Sequence, residues 1–509
     1  MKINKEQLGL INNIGGIKLI YTNPFNTTQI LPFITNTLSN SNSNSNSIPK
    51  SYFIDVPLIT DTKEIGYTAV TATVTSQINE KIEDEFTAQF PLFFPNITEI
   101  LIPKKIKVDL ERYMDRELLR CVDKDLDIAI EKCLLFLNNL SSTYYTENKW
   151  KKLHSVYLHE QTRNSKNDYI YKKIERVLLT GTKKQGPVIE IIKNKIGGDS
   201  YLVGVESRKF RITEKYFKAG LTTYNLKNEG IIKQRNKTFY KLLKEANNNV
   251  ICKNLIDIYS RIDLPTHEEI KKEAKRLIKE KFTTKKGKKL TFRNKHTNAY
   301  WNDISERSFV EDNIELFDFL TKRGYMIPTP GDEKSGCRIV DSFTLMPSWI
   351  RNLIKIDGKK VFECDYSALH PNIAIKLYSG NTKFITHKKV SEESGVDIKE
   401  VKVEHLSFLN KNWREMSYSP LFDYYTKKEP KMMEEIYHDK IENGHKITSK
   451  KMFKTEVQIM TEVIEILNKE KIYVGYVYDA LFCTESDKAR VIEVMNEVVI
   501  EFGVYTTAK

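Results

Sequence analysis

The chain lacks most features of an exported or membrane-bound protein. Its six cysteines are scattered, none forms a C-x-x-C pair, and no histidine cluster stands at zinc spacing. That pattern argues against a disulfide framework and a structural zinc site. No apolar run reaches the length of a membrane span. The opening residues, MKINKEQLGLINNIGG, are too polar for a secretory leader. A soluble, cytoplasmic protein with no membrane partner is therefore expected. Acidic residues are in deficit: 67 Asp and Glu stand against 81 Lys and Arg, a net charge of +14. The excess fits a polyanionic partner, nucleic acid first, and equally fits a lysine-rich surface with no partner.

A hydrophobic content of 40% over 509 residues allows two to four domains with sizeable cores. Residues 39–47, SNSNSNSNS, read as a flexible linker. Alternating β-branched runs in 51–102 read as strands. Helical periodicity occupies 108–140 and continues, with more basic residues, through 150–179. Residues 186–192 and 200–205 read as strands. Arg208-Lys209-Phe210-Arg211-Ile212 then sets three cations around one aromatic. A winged-helix-like module would give this pattern, with the cations either contacting phosphate or defending an exposed hairpin edge. Residues 224–285 return to helical periodicity and end in a basic run that includes Lys285, Lys286, Lys288, Lys289 and Arg293. The loop 283–296 holds no acidic residue, so its cations are expected to contact backbone phosphates.

Two acidic landmarks dominate the last third. Val361-Phe362-Glu363-Cys364 is an apolar strand pattern that runs into Asp365, and a helical stretch follows. Downstream, 472–482 is a second apolar, aromatic, strand-like run with Asp479 near its centre. A lone charge in such surroundings is costly to bury. Side by side, the two carboxylates could hold two Mg²⁺ ions, with Mn²⁺ as a substitute. A charged helical stretch, 383–444, separates them. A long amphipathic helix, 449–467, with Met452, Phe453, Val457, Met460, Val463, Ile464 and Leu467 as its apolar positions, leads to the second. A terminal helix covers 487–502. The arrangement predicts an α+β fold with helices packed on one face of a sheet.

These residues together resemble the polymerase domain of family A DNA polymerases, of a divergent phage or mobile-element type, over about the last 180 residues. Gly336-Cys337-Arg338, Leu345-Met346-Pro347, Arg351 and Asp365-Tyr366-Ser367-Ala368-Leu369-His370 follow the order of that family's T-G-R, N-L-x-x-I-P, Arg and D-Y-S-x-I-E elements. Val477-Tyr478-Asp479-Ala480 is similar to its V-H-D-E. The resemblance implies a right-hand architecture: an antiparallel palm sheet with helices on one face, and helical fingers and thumb. Here these would follow a mixed α/β N-terminal region, 1–200. The basic helical segment 201–324 would be thumb-like, 325–385 and 446–509 would be the palm, and 386–445 a fingers-like insertion. It also implies that Asp365, Asp479 and the Tyr366 carbonyl hold the metals. Ser367, His370, Lys399 and Lys402 would meet the nucleotide, with Lys402 as the phosphate clamp. Arg338, Arg351 and Tyr478 would contact the primer–template.

The chain also departs from the family. His370 replaces the glutamate that excludes a ribose 2′-OH. The Tyr-Gly that ends the nucleotide-gripping helix is missing. No Asp-x-Glu appears where a proofreading exonuclease would begin, so none is expected. The expected activity is template-directed addition of dNTPs to a primer 3′-OH, by a monomer or a member of a replication complex. Alternatives are an RNA-making enzyme of the same class, with RNA as product or partner, a nuclease using the same metals, or a replication protein that only binds nucleic acid.

Overall fold

The computed structural model describes residues 98–146, 148–165, 168–193, 207–284, 286–294, 303–323 and 327–509. The linker 39–47, most of the strand-like segment 51–102, the strand expected at 200–205 and Lys285 lie outside the described residues. Within them the chain is α+β. Helices predominate, and the strands form three antiparallel sheets and one parallel pair.

Two hydrophobic cores organise the molecule. The first draws its buried residues from Ile100 to Ile231. Its centre is helix α1, Leu126–Asn138, in which every residue from Ala129 to Leu137 is buried. Asp125 starts α1 by accepting from the backbone N–H groups of Asp127 and Ile128, which satisfies two orphan donors of the first turn. Around it lie strand β1, Glu99–Pro103, and a sheet of β2, Lys151–Lys152, β3, Ile189–Ile191, and β4, Lys209–Ile212, with β4 in the middle. Strand β5, Leu221–Asn225, pairs antiparallel with β1.

Helix α2, Glu229–Asn247, crosses from one core to the other. Ile231 belongs to the first, whereas Phe239, Leu243 and Ala246 belong to the second. Residues 207–232 thus pack with the N-terminal core. Helix α3, Val250–Tyr259, and strand β6, Ile262–Asp263, pack with the larger core, which extends to Ala508. Strands β7, Lys289–Thr291, and β8, Arg307–Phe309, form the parallel pair beside them.

The larger core surrounds a five-stranded sheet, ordered β11–β12–β10–β9–β6, with β9 Lys355–Ile356, β10 Lys359–Asp365, β11 Gly475–Val477 and β12 Ala480–Thr484. Every pair in it is antiparallel. Helix α4, Leu369–Leu377, leaves β10 almost at once. Helices α5, His387–Ser394, α6, Ile398–Ser407, and α7, Pro430–Asn443, follow in the insertion. The 23-residue α8, Ile447–Lys469, returns the chain to β11, and α9, Glu485–Glu501, closes it.

The register sorts side chains between the two faces of the sheet. Phe362 lies opposite Cys483, and Cys364 opposite Leu481, so these four share a face. Helix α9 covers that face: Lys488 lies over the Phe362 ring, and the Tyr366 hydroxyl donates to the Met495 carbonyl at 2.6 Å. Val361, Glu363 and Asp365 occupy the opposite face with Phe482. Gly475 keeps β11 close to that side, since a Cβ there would lie 3.0 Å from the Phe343 ring. Among the described residues, no helix is long and apolar enough to cross a membrane.

Candidate active site

Asp365 ends β10 and lies directly opposite Ala480, the residue after Asp479. Val477 pairs with Ala480, which leaves Tyr478 and Asp479 as the two-residue turn of the β11–β12 hairpin. Asp479 therefore sits at a hairpin tip, not within a continuous strand as its apolar neighbours suggest. A turn exposes one strand end while the flanking residues stay buried, so hydrophobicity alone does not reveal it. Sequence positions 114 apart are thus brought next to each other by one strand pairing.

The Asp365 end is held from both sides. Asp365 and Lys509 exchange backbone hydrogen bonds at 3.2 Å, and Ser367 N donates to the Thr507 carbonyl at 2.9 Å. Tyr366, between them, is the non-hydrogen-bonded position opposite Ala508, so its carbonyl is directed away from this tail and toward the hairpin. Its ring is buried, and burial pushes its phenol well above the usual tyrosine range.

Left-handed backbone at non-glycine residues occurs here, as it does at five other described positions. Cys337, Ala368 and Tyr478 all hold left-handed backbone at φ 63°, 57° and 59°. Each lies within three residues of Arg338, Asp365 or Asp479. Non-glycine residues adopt this region at a cost, and such positions concentrate at functional sites. Gly336, at φ 68°, lets the loop before Arg338 touch α8, because a Cβ there would come within 2.4 Å of Phe453 Cβ.

That close approach seats Arg338. Its Nε and Nη2 donate to Glu456 Oε1 and Oε2 at 2.8 and 2.5 Å. Its guanidinium lies 3.6 Å from the centre of the Phe453 ring and 4.5 Å from that of Tyr478. His370 Nε2 approaches Glu456 Oε2 at 2.5 Å and Arg338 Nη2 at 3.0 Å. Glu456 is wholly buried, at 0% exposure. Burial opposes its charge, but the His370 and Arg338 contacts outweigh burial and hold the carboxyl below its ordinary range. Asp479 shows the reverse. Burial pushes its carboxyl up, Glu456 adds to the effect, and His370 and Arg338 only partly counter it.

Arg351 does not join this group. It is 6% exposed, and its Nη1 donates to the Phe343 carbonyl at 3.0 Å. Its guanidinium lies 5.6 and 5.3 Å from the Phe343 and Phe482 rings. It packs against the sheet, in the larger core. Lys399 and Lys402 are exposed on α6. Burial lowers the His387 pKa, and the charges of Lys402 and then Lys509 lower it further. Lys402, His387 and the Lys509 tail that binds Asp365 are thus electrostatic neighbours. His387 continues inward: its Nδ1 is 2.7 Å from His405 Nδ1, and His405 Nε2 is 2.7 Å from the Tyr425 hydroxyl.

The basic segment lies elsewhere, around β7 and β8. Lys288 donates to the Ile304 carbonyl at 2.6 Å. Arg293 pairs with Asp312, takes Glu311 on its backbone N–H, and stacks 4.4 Å from Phe309. The segment without acidic residues in its own sequence is therefore balanced in part by the helix that follows β8. Lys289 begins β7 opposite Arg307, and Lys286 and Lys289 are exposed.

Sequence reasoning passed over Glu456, Phe453's role against Arg338, and His387. Glu456 carried a signal: it falls on the buried stripe of α8, between Met452 and Met460, where an acid needs partners.

The donor set fits a divalent cation. Asp365 and Asp479 are hard oxygen donors on adjoining backbone, and a cation would favour the ionised form of Asp479 that burial disfavours. Among the described residues, no group of three or more His, Cys, Asp or Glu side chains converges as a self-sufficient metal site. No protein-family model matches the chain, and no curated protein matches its sequence.

Proposed function

We propose that the chain is a template-directed nucleotidyltransferase, a DNA polymerase that adds dNTPs to a primer 3′-OH. One observation carries the reading: a single antiparallel pairing sets Asp365 opposite Ala480, the residue after Asp479. Two carboxylates that need phosphate oxygens to complete a metal's coordination suit a substrate bearing a triphosphate. Asp365 and Asp479 would hold Mg²⁺ ions, with the Tyr366 carbonyl turned toward the same place. The bound ions supply charge neutralisation and a more acidic attacking hydroxyl.

The chain's own residues do the rest. Arg338, close to the rings of Phe453 and Tyr478 and held along its Nε–Nη2 edge by Glu456, would present Nη1 as a rigid donor to a primer–template. His370 is tied to the same carboxylate, which orients its ring as a wall for the nucleotide sugar. Lys402 and His387 offer cationic and hydrogen-bonding contacts to a triphosphate on the Asp365 side.

The test is extension of a labelled primer on DNA and RNA templates with Mg²⁺ and either dNTPs or NTPs. The reading expects products whose sequence follows the template, with dNTPs preferred. Products from NTPs alone would favour the RNA-making alternative. Degradation of the primer without extension would favour a nuclease, and binding without either reaction would leave a nucleic-acid-binding protein.

A further inference from the structure

Beyond α9, residues 503–509 run alongside the end of β10. Tyr366 stands opposite Ala508, Ser367 N donates to the Thr507 carbonyl, and Lys509 exchanges backbone hydrogen bonds with Asp365. Successive side chains of such a segment point to opposite sides. Ala508 is buried, and the Thr506 hydroxyl turns in to donate to the Ser367 carbonyl. Tyr505, Thr507 and Lys509 alternate with them, and all three are exposed. They form an outward strip that ends beside the Asp365–Asp479 site.

A second element borders this strip. The loop after α4 carries Lys383 and Phe384, and Lys383 Nζ lies 4.5 Å from the centre of the Tyr505 ring. Buried side chains fix the loop at both ends. Glu429 accepts from the Asn381 and Thr382 N–H groups. Asn372 accepts from the Ile385 N–H and donates to the Ile385 carbonyl. Held this way, the loop keeps an aromatic ring in water: Phe384 is 48% exposed, beside Tyr505 at 39%. Lys376, in the last turn of α4, extends the strip, because a Cβ on Gly503 would lie 3.1 Å from its Cε. Among the described residues, no ion pair links Lys376, Lys383 or Lys509 to a carboxylate.

Exposed cations interleaved with exposed rings suit a strand in which phosphates and bases alternate. Bases inside a duplex are stacked on one another and cannot use the rings. We propose that this strip binds single-stranded DNA and leads it to the Asp365–Asp479 site, with Lys376 and Lys383 on backbone phosphates and a base against Tyr505. The destination of the strand rests on the polymerase reading above, whereas the binding surface itself does not.

The test is fluorescence anisotropy with labelled oligothymidylate, oligouridylate and a duplex of the same length, over a range of salt and without metal or nucleotide. Tyr505→Ala should weaken single-strand DNA binding about tenfold, as expected for loss of one stacked base. Tyr505→Phe keeps the ring and should bind like wild type. Lys376→Gln with Lys383→Gln should reduce the magnitude of the log–log salt slope by about 1.4, roughly 0.7 for each lost phosphate contact. Melting temperatures of all variants control for folding. Wild-type affinity and salt slope in folded Tyr505→Ala and lysine variants would overturn the proposal. So would an equal loss on the duplex, which would mark a general charge effect, or tighter binding of oligouridylate than of oligothymidylate. Tyr505-dependent binding in a chain that extends no primer would support this surface and sink the polymerase reading alone.

Discussion

Arg338 and Glu456, 118 residues apart, are joined by two hydrogen bonds of 2.8 and 2.5 Å, and the carboxylate that receives them is wholly buried. The pair is expected to behave as a unit. Arg338→Lys keeps the charge but loses the fork and the stacking on Phe453, so it should reduce extension at least about tenfold. Removing either partner leaves a charge in a poor environment. In a double-mutant cycle with Arg338→Ala and Glu456→Ala, unfolding in urea should give a coupling of about 2 kcal/mol. Additive effects would mean that the contact contributes nothing specific.

Glu456 also sets an acid limit. Its folded pKa lies below the ordinary value of 4.5, so its contribution is present above that value and is lost as pH falls through the folded pKa. Asp479 contributes with the opposite sign. Its folded pKa is raised, so its ionised form costs stability at neutral pH, and that cost is relieved as pH falls. Asp479→Asn should therefore raise the melting temperature at pH 7 by about 1–2 °C while abolishing extension. A lower melting temperature would mark Asp479 as a structural residue.

His405 gives a second pH dependence. It is buried between His387 and Tyr425, and burial drives its pKa from 6.5 to about 3. The unfolded chain then binds more protons than the folded one between those values. Stability is complete above about 6.5 and falls toward acid, by up to about 1.4 kcal/mol per pH unit. His405→Gln should flatten this part of the profile, measured as urea midpoints from pH 7 to pH 4. An unchanged slope would contradict the assignment.

Gly336→Ala tests how the Arg338 loop is seated. The new methyl would meet Phe453 Cβ at 2.4 Å, at a backbone φ of 68° that disfavours any side chain. The variant should lose about 2 kcal/mol of stability and much of its primer affinity. Wild-type affinity would show that the loop does not position Arg338.

The sequence made the paired aspartates legible because strands and their charged ends leave a local pattern. Asp365 sits at the end of β10 as its apolar run implies. The hairpin turn at Tyr478-Asp479 was hidden because both strands beside it are apolar, and no glycine marks the turn. Arg351 is expected from the sequence to contact a primer–template, yet it is buried with its guanidinium on the Phe343 and Thr344 carbonyls, which only packing decides. The limits of the cores were equally out of reach: α2 is continuous, and it changes core between Ile231 and Phe239 without any break in composition. Arg293's partners come from a helix some eighteen residues downstream, beyond the reach of local charge counting.

Asp365 and Asp479 are proposed to act as one site. The most direct measurement is single-turnover primer extension with Mg²⁺ for Asp365→Asn, Asp479→Asn and the double variant. Residues that serve one step together are strongly non-additive. Each single change is expected to remove about a thousandfold or more of the rate, and the double variant to be no slower than either. Robust extension by either single variant, or losses that multiply in the double, would contradict it.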